Sequence, residues 1–136
     1  MFIKLFLIGF SIFLAIDLVW LSVISKDFYS QNLGTLMSTD VNLIPAIIFY
    51  ILFIVGLVIL VIIPALKSKS LKKAVLTGAL FGLVSYATYD LTNLATLKDW
   101  PLIVTIVDLV WGTLLAATVS GVTYLVAKKF GLEGDH

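Results

Sequence analysis

Residues 43–66 read LIPAIIFYILFIVGLVILVIIPAL, a run without a single charged side chain. At ~1.5 Å rise per residue, about 23 helical residues cover about 35 Å, against a hydrocarbon core of roughly 30 Å. The run therefore crosses a bilayer as a slightly tilted helix. Working outward, the chain holds three more runs of similar length: 2–24 before it, then 71–94 and 101–127 after it. Each of these three is interrupted by one carboxylate, Asp17, Asp90 and Asp108 respectively. The expected fold is all-α, an integral membrane bundle of four transmembrane helices forming one domain over residues 1–129, with a cytoplasmic tail at 130–136. Composition points the same way. Hydrophobic residues make up 61% of the 136 and charged ones only 12%, with a mean hydropathy of +1.15. A soluble chain this short builds one modest core and has no use for so much apolar surface.

The first run is read as a retained helix and not as a cleaved signal peptide, because its apolar stretch outlasts an h-region of about 7 to 15 residues. Orientation follows from the nine lysines, since the sequence has no arginine and its loops are short enough for the positive-inside bias to act. Lys4, Lys67, Lys69, Lys72, Lys73, Lys128 and Lys129 fall on one side, and Lys26 and Lys98 on the other. Both termini are expected in the cytoplasm of a multi-pass inner-membrane protein. The net charge of +1 gives no reason to expect nucleic acid as a partner. The absence of cysteine removes disulfides, thiol catalysis and thiolate metal sites. The one histidine, His136, reads as a tail residue. No residue pattern calls for a cofactor.

With this orientation the three aspartates share the outer half of the membrane, about 6 Å (Asp17), 10 Å (Asp90) and 9 Å (Asp108) beyond the helix midpoints. Residues three, four and seven apart share a helix face, so Tyr86, Asp90 and Asn93 align in the third helix, continuing inward as Ala79 and Gly82. Its other face carries Ser85, Thr88, Thr92 and Thr96. Hydroxyls on both faces would lack partners in lipid, which places this helix at the centre of the bundle. The strings Asp17-Leu18-Val19-Trp20 and Asp108-Leu109-Val110-Trp111 each put an indole one turn from a carboxylate. Because the two helices run in opposite directions, paired indoles would stack above and below the acids. Gly112, Ala116 and Ser120 form a small-residue packing seam, as do Ala117 and Gly121, serving helices of one chain or of two. The second helix is expected to form a lipid-facing wall.

Each intramembrane aspartate costs roughly 2.5 to 3.5 kcal/mol at a helix centre and less toward its end. Interhelical glue is one reason to keep them, with indole, phenol, amide and hydroxyl donors at about 0.6 kcal/mol per contact. An outward-facing acidic cavity is the other. Carboxyls so placed exchange protons near physiological pH, and the faces of Trp20, Trp111, Tyr86 and Tyr89 attract ammonium groups. Asp17, Asp90, Asp108 and Asn93 offer only oxygen ligands, which suit a hard metal ion, but their spacing resembles no calcium loop. A lipid-headgroup enzyme using an acid pair is a third class, without a nucleophile–histidine pair, phosphate loop or HExxH-type motif behind it.

These residues carry a family resemblance. It rests on Gly78-Ala79-Leu80-Phe81-Gly82-Leu83, on the string from Tyr86-Ala87-Thr88-Tyr89-Asp90 through Asn93 to Thr96, and on Trp100-Pro101. Asp17 with Trp20-Leu21, Phe28-Tyr29, Phe49-Tyr50 and Asp108-Leu109-Val110-Trp111-Gly112-Thr113 complete it. From Met1 to about Ala127 the chain resembles the bacterial membrane proteins grouped as domain of unknown function 2177. The resemblance implies a four-helix inner-membrane protein and brings no activity with it. The leading expectation is a small protein that binds or translocates protons or a small organic cation. Asp17, Asp90 and Asp108 would form the charged lining, with Asn93, Tyr86, Tyr89, Trp20 and Trp111 around them. Transport through so thin a bundle would call for a homodimer. The competing expectation is a non-transporting accessory protein that docks another membrane subunit or senses a lipid.

Overall fold

The computed structural model describes residues 1–36 and 43–132. Asn42, expected near the outer end of the second helix, and the tail residues Glu133, Asp135 and His136 lie outside the described residues. Among the described residues the structure is helical throughout, with no strand. Four helical spans are long and apolar enough to cross a membrane: Phe2–Val23, Leu43–Ser68, Leu71–Thr96 and Leu102–Lys129. Consecutive spans run in opposite directions, so one end of the bundle collects Lys4, the 67–73 turn and Lys128–Lys129, and the other collects the 20–36 segment and the 97–101 turn.

The first span is α1 (Phe2–Val19) continued by a π-helical turn, Trp20–Ile24, which leads without a break into the short polar helix α2 (Ser25–Leu33). The second span is α3 (Leu43–Leu57), a π turn at Val58–Ile62 and α4 (Ile63–Ser68). Pro64 explains this second π turn. It has no N–H to give to the carbonyl four residues back, and its ring crowds that carbonyl, so the preceding turn widens and the helix continues. α4 ends at Lys69 in the left-handed region (φ 53°), and the Ser70 hydroxyl then caps α5 (Leu71–Thr96), accepting from the Lys73 amide at 3.0 Å. A tight turn through Asp99 (φ 64°) joins α5 to α6 (Leu102–Lys129).

α6, and not α5, is the central helix. It packs along the length of α5 and also touches α1, α4 and the second π turn, and it buries residues from Val104 to Ala127. The expectation of a central third helix fails because its hydroxyls are satisfied locally. Ser85, Thr88 and Thr96 each donate to the carbonyl four residues earlier, at 2.8, 2.7 and 2.7 Å. Thr88, Thr92 and Thr96 are exposed on the surface of the bundle. A threonine that bonds its own helix can face lipid.

The α5–α6 contact is made by small residues, and within one chain. A Cβ on Gly82 would overlap the Gly112 carbonyl and the Ala116 methyl, and one on Gly78 would overlap the Ser120 side chain. The second span is only half a lipid-facing wall. Its other face, including Phe53, Ile54, Leu57, Val58, Ile62 and Leu66, supplies much of the core. Leu5 and Phe13 from α1 and Leu115 and Val119 from α6 complete that core, which fills the lysine-rich half of the bundle and leaves the cavity to the other half.

Candidate acidic and aromatic cavity

At the lysine-poor end the four spans diverge around a cavity of about 370 Å³. Two carboxylates line it, Asp17 from α1 and Asp108 from α6, with no lysine among the lining residues. Both side chains are nearly enclosed, at 7% and 6% exposure. Aromatic rings form most of the remaining wall: Trp20, Trp100 and Trp111, then Tyr29, Tyr50, Tyr86, Tyr89 and Phe49. Below it, Phe13 meets Tyr50 edge-on (ring centroids 5.2 Å) and Phe53 meets Tyr86 in the same manner (6.3 Å), making an aromatic floor on the apolar core.

Trp20 and Trp111 stack directly on one another, with ring centroids 4.2 Å apart and planes inclined by 11°. They do not stack above and below the acids as the sequence suggested. In antiparallel α1 and α6 each indole lies about 4.5 Å along its helix from its own aspartate, in opposite directions. Bringing the rings together therefore separates the two carboxylates in depth. Asp17 lies on the core side, where the Tyr50 hydroxyl and the Trp111 indole face it. Asp108 lies toward the membrane end, where Asp90 adjoins it. The aspartates share one half of the bundle at two levels, and Tyr86 sits within the field of all three.

The Tyr29 hydroxyl donates to Asp108 across 79 positions of sequence. Burial first, then the adjoining Asp108 carboxylate, raise the Tyr29 phenol above its ordinary range, so this hydroxyl remains a donor. In the sequence only the Phe28-Tyr29 pair of the family resemblance marks it, because the segment around it is polar. The π turn at Trp20–Ile24 aims α2 across the mouth of the cavity, where Tyr29 and Leu33 join its lining. Tyr50 and Trp100, which were not among the expected site residues, also line it. Trp100 is anchored by its indole N–H, which donates to Thr105 Oγ1 at 3.1 Å, and by the edge-on ring of Tyr89 at 5.9 Å.

Two residues expected in the site stand behind it. Asp90 is fully buried where α5 meets α6, and among the described residues neither carboxylate oxygen has a hydrogen-bond partner. The ionisable group beside it is Asp108. Asn93 is half-buried next to Tyr89 and does not line the cavity. The three aspartates do not form a group that could hold a metal ion among the described residues, because Asp17 is set apart in depth from the Asp90–Asp108 pair.

Fold and site together define a small multi-pass membrane protein with an acidic, aromatic cavity at one end of its bundle. The chain belongs to the family described as predicted membrane protein, domain of unknown function 2177, whose model matches residues 2–125. No curated protein and no solved structure matches the chain.

Proposed function

We propose that the protein binds a small organic cation in this cavity, from the outer face of the bacterial inner membrane, in exchange for protons. One observation carries the reading: two nearly enclosed carboxylates, Asp17 and Asp108, line a box of aromatic rings from which lysine is missing. Carboxylates in a low-dielectric wall call for a compensating cation, and ring faces prefer an alkylated ammonium to a strongly hydrated ion. Asp90, buried beside Asp108 and not itself lining the cavity, gives the pair a second carboxyl through which a proton can pass. The outward orientation rests on the lysine distribution, with seven lysines at the opposite end.

The geometry favours binding over conduction through one chain. Between the cavity floor and the lysine-rich end, the core residues Leu5, Ile54, Leu57, Val58, Ile62 and Leu66 are completely buried. Translocation would require these helices to part, or a second copy to complete a path.

All three tryptophans of the chain, Trp20, Trp100 and Trp111, line the cavity, so intrinsic fluorescence reports on its occupancy. In nanodiscs of phosphatidylglycerol, tetramethylammonium should change this fluorescence saturably. The Asp17→Asn/Asp108→Asn double variant should bind at least tenfold more weakly while keeping its helical circular dichroism. Because the cation requires ionised carboxylates, its affinity should fall as pH is lowered, and binding should release protons to an unbuffered solution. A linear, non-saturating response, or one identical in the double variant, would refute the cation site.

A further inference from the structure

A second cavity adjoins the acidic one and limits what kind of cation fits. Phe49, Tyr86 and Tyr89 line both, and Ser85 completes the second, which encloses about 400 Å³ and is almost wholly apolar. The one hydroxyl of Ser85 is turned away to the Phe81 carbonyl at 2.8 Å, so it offers the cavity no polar group. Phe49 and Tyr89 are 42% and 56% exposed and belong to the second and third membrane spans. The apolar cavity is thus a groove between α3 and α5 that opens sideways at membrane depth. Its inner end is walled by the same tyrosines that wall the carboxylates.

We propose that the occupant is a single-chain cationic amphiphile that enters from the bilayer, its ammonium head in the acidic cavity and its alkyl chain in the groove between α3 and α5. This rests on the reading of the acidic cavity as a cation site and adds the class of cation. Charge complementarity fixes the head, because carboxylates line the acidic cavity and none lines the groove. Continuity of the two cavities fixes the chain, which can remain in a hydrocarbon-like environment while the head alone moves from the membrane surface into the box. Both volumes lie toward the low end of the ~300–1,000 Å³ usual for small-molecule sites, which suits one head and one chain. A hydrophilic cation would leave the groove unused.

The test uses a dodecyltrimethylammonium analogue with a diazirine at the chain end, added to the full-length protein in phosphatidylglycerol nanodiscs. After illumination, labelled positions are read by mass spectrometry. The label is expected on α3 and α5 around Phe49 and Ser85, and excess tetramethylammonium should reduce it at least tenfold, as should Asp17→Asn/Asp108→Asn. Ser85→Phe, which fills the groove, should remove the focused labelling while leaving the tetramethylammonium response of the tryptophans intact. Labelling spread over outward residues such as Leu114 and Val122, or focused labelling that tetramethylammonium does not displace, overturns the amphiphile. If tetramethylammonium still binds saturably, the simple cation site stands without it. If tetramethylammonium does not bind either, both readings fall.

Discussion

Asp108 shows how much a single side chain depends on neighbours distant in sequence. It is held by a hydroxyl from α2, adjoined by a carboxyl from α5 and exposed to the cavity along one edge. A hydrogen bond to a charged group contributes about 1.5 to 3 kcal/mol, and Tyr29 is the donor whose loss can be tested cleanly. Tyr29→Phe keeps the ring and removes the hydroxyl. It should lower stability by about 1.5 to 3 kcal/mol, measured by denaturant titration in mixed micelles, and the cost should largely vanish in an Asp108→Asn background. Equal costs in both backgrounds would mean that the contact carries no coupling. The stacked indoles offer an optical counterpart. Trp20 and Trp111 are close and nearly parallel, so replacing either by Phe should remove an exciton signal from the far-ultraviolet circular dichroism.

At the scale of elements, the α5–α6 seam sets the shape of the cavity. Gly78 and Gly82 let the α6 backbone approach so closely that Gly112 presents its carbonyl to Gly82, and the Tyr86 ring then lies directly over Gly112. Tyr86 is thereby held at the cavity wall. Gly82→Ala places a methyl against backbone that cannot yield as a flexible side chain would, and overpacking of this kind costs about 1 to 3 kcal/mol. The variant should lose that much stability and also weaken tetramethylammonium binding, because separating α5 from α6 moves Tyr86 and Asp108 apart. Gly34→Ala is the control. No atom would meet its Cβ within 4 Å, so it has no packing cost, although its φ of +53° leaves a modest backbone one. The two π turns work at the same scale. One accommodates Pro64, and the other turns a polar connecting segment into a cover for the cavity.

For the whole molecule, the decisive quantity is orientation. Lysines concentrate at one end and the cavity opens at the other, so the positive-inside bias and the accessibility of the site are a single question. The native chain has no cysteine, which makes introduced ones clean reporters. Gln31→Cys, on the exposed side of α2, should react with a membrane-impermeant maleimide in intact cells. Ser68→Cys, at the exposed end of α4, should react only after permeabilisation. The reverse pattern would turn the cavity toward the cytoplasm and remove the outward-facing part of the proposal.

The sequence by itself determined the solvent and the number of crossings, because apolar length is a property of consecutive residues and needs no knowledge of neighbours. It also placed the aspartates in one half of the membrane and marked Gly112, Ala116 and Ser120 as a seam, since helical rise and periodicity convert sequence position into depth and face. What covers each face was beyond it. Only the tertiary structure decided that α6 is central and that the two indoles meet each other. It alone set Asp90 behind the cavity and brought Tyr29 into it. These outcomes depend on distances between helices, which are fixed by where small residues permit close approach. No spacing along a single helix encodes them.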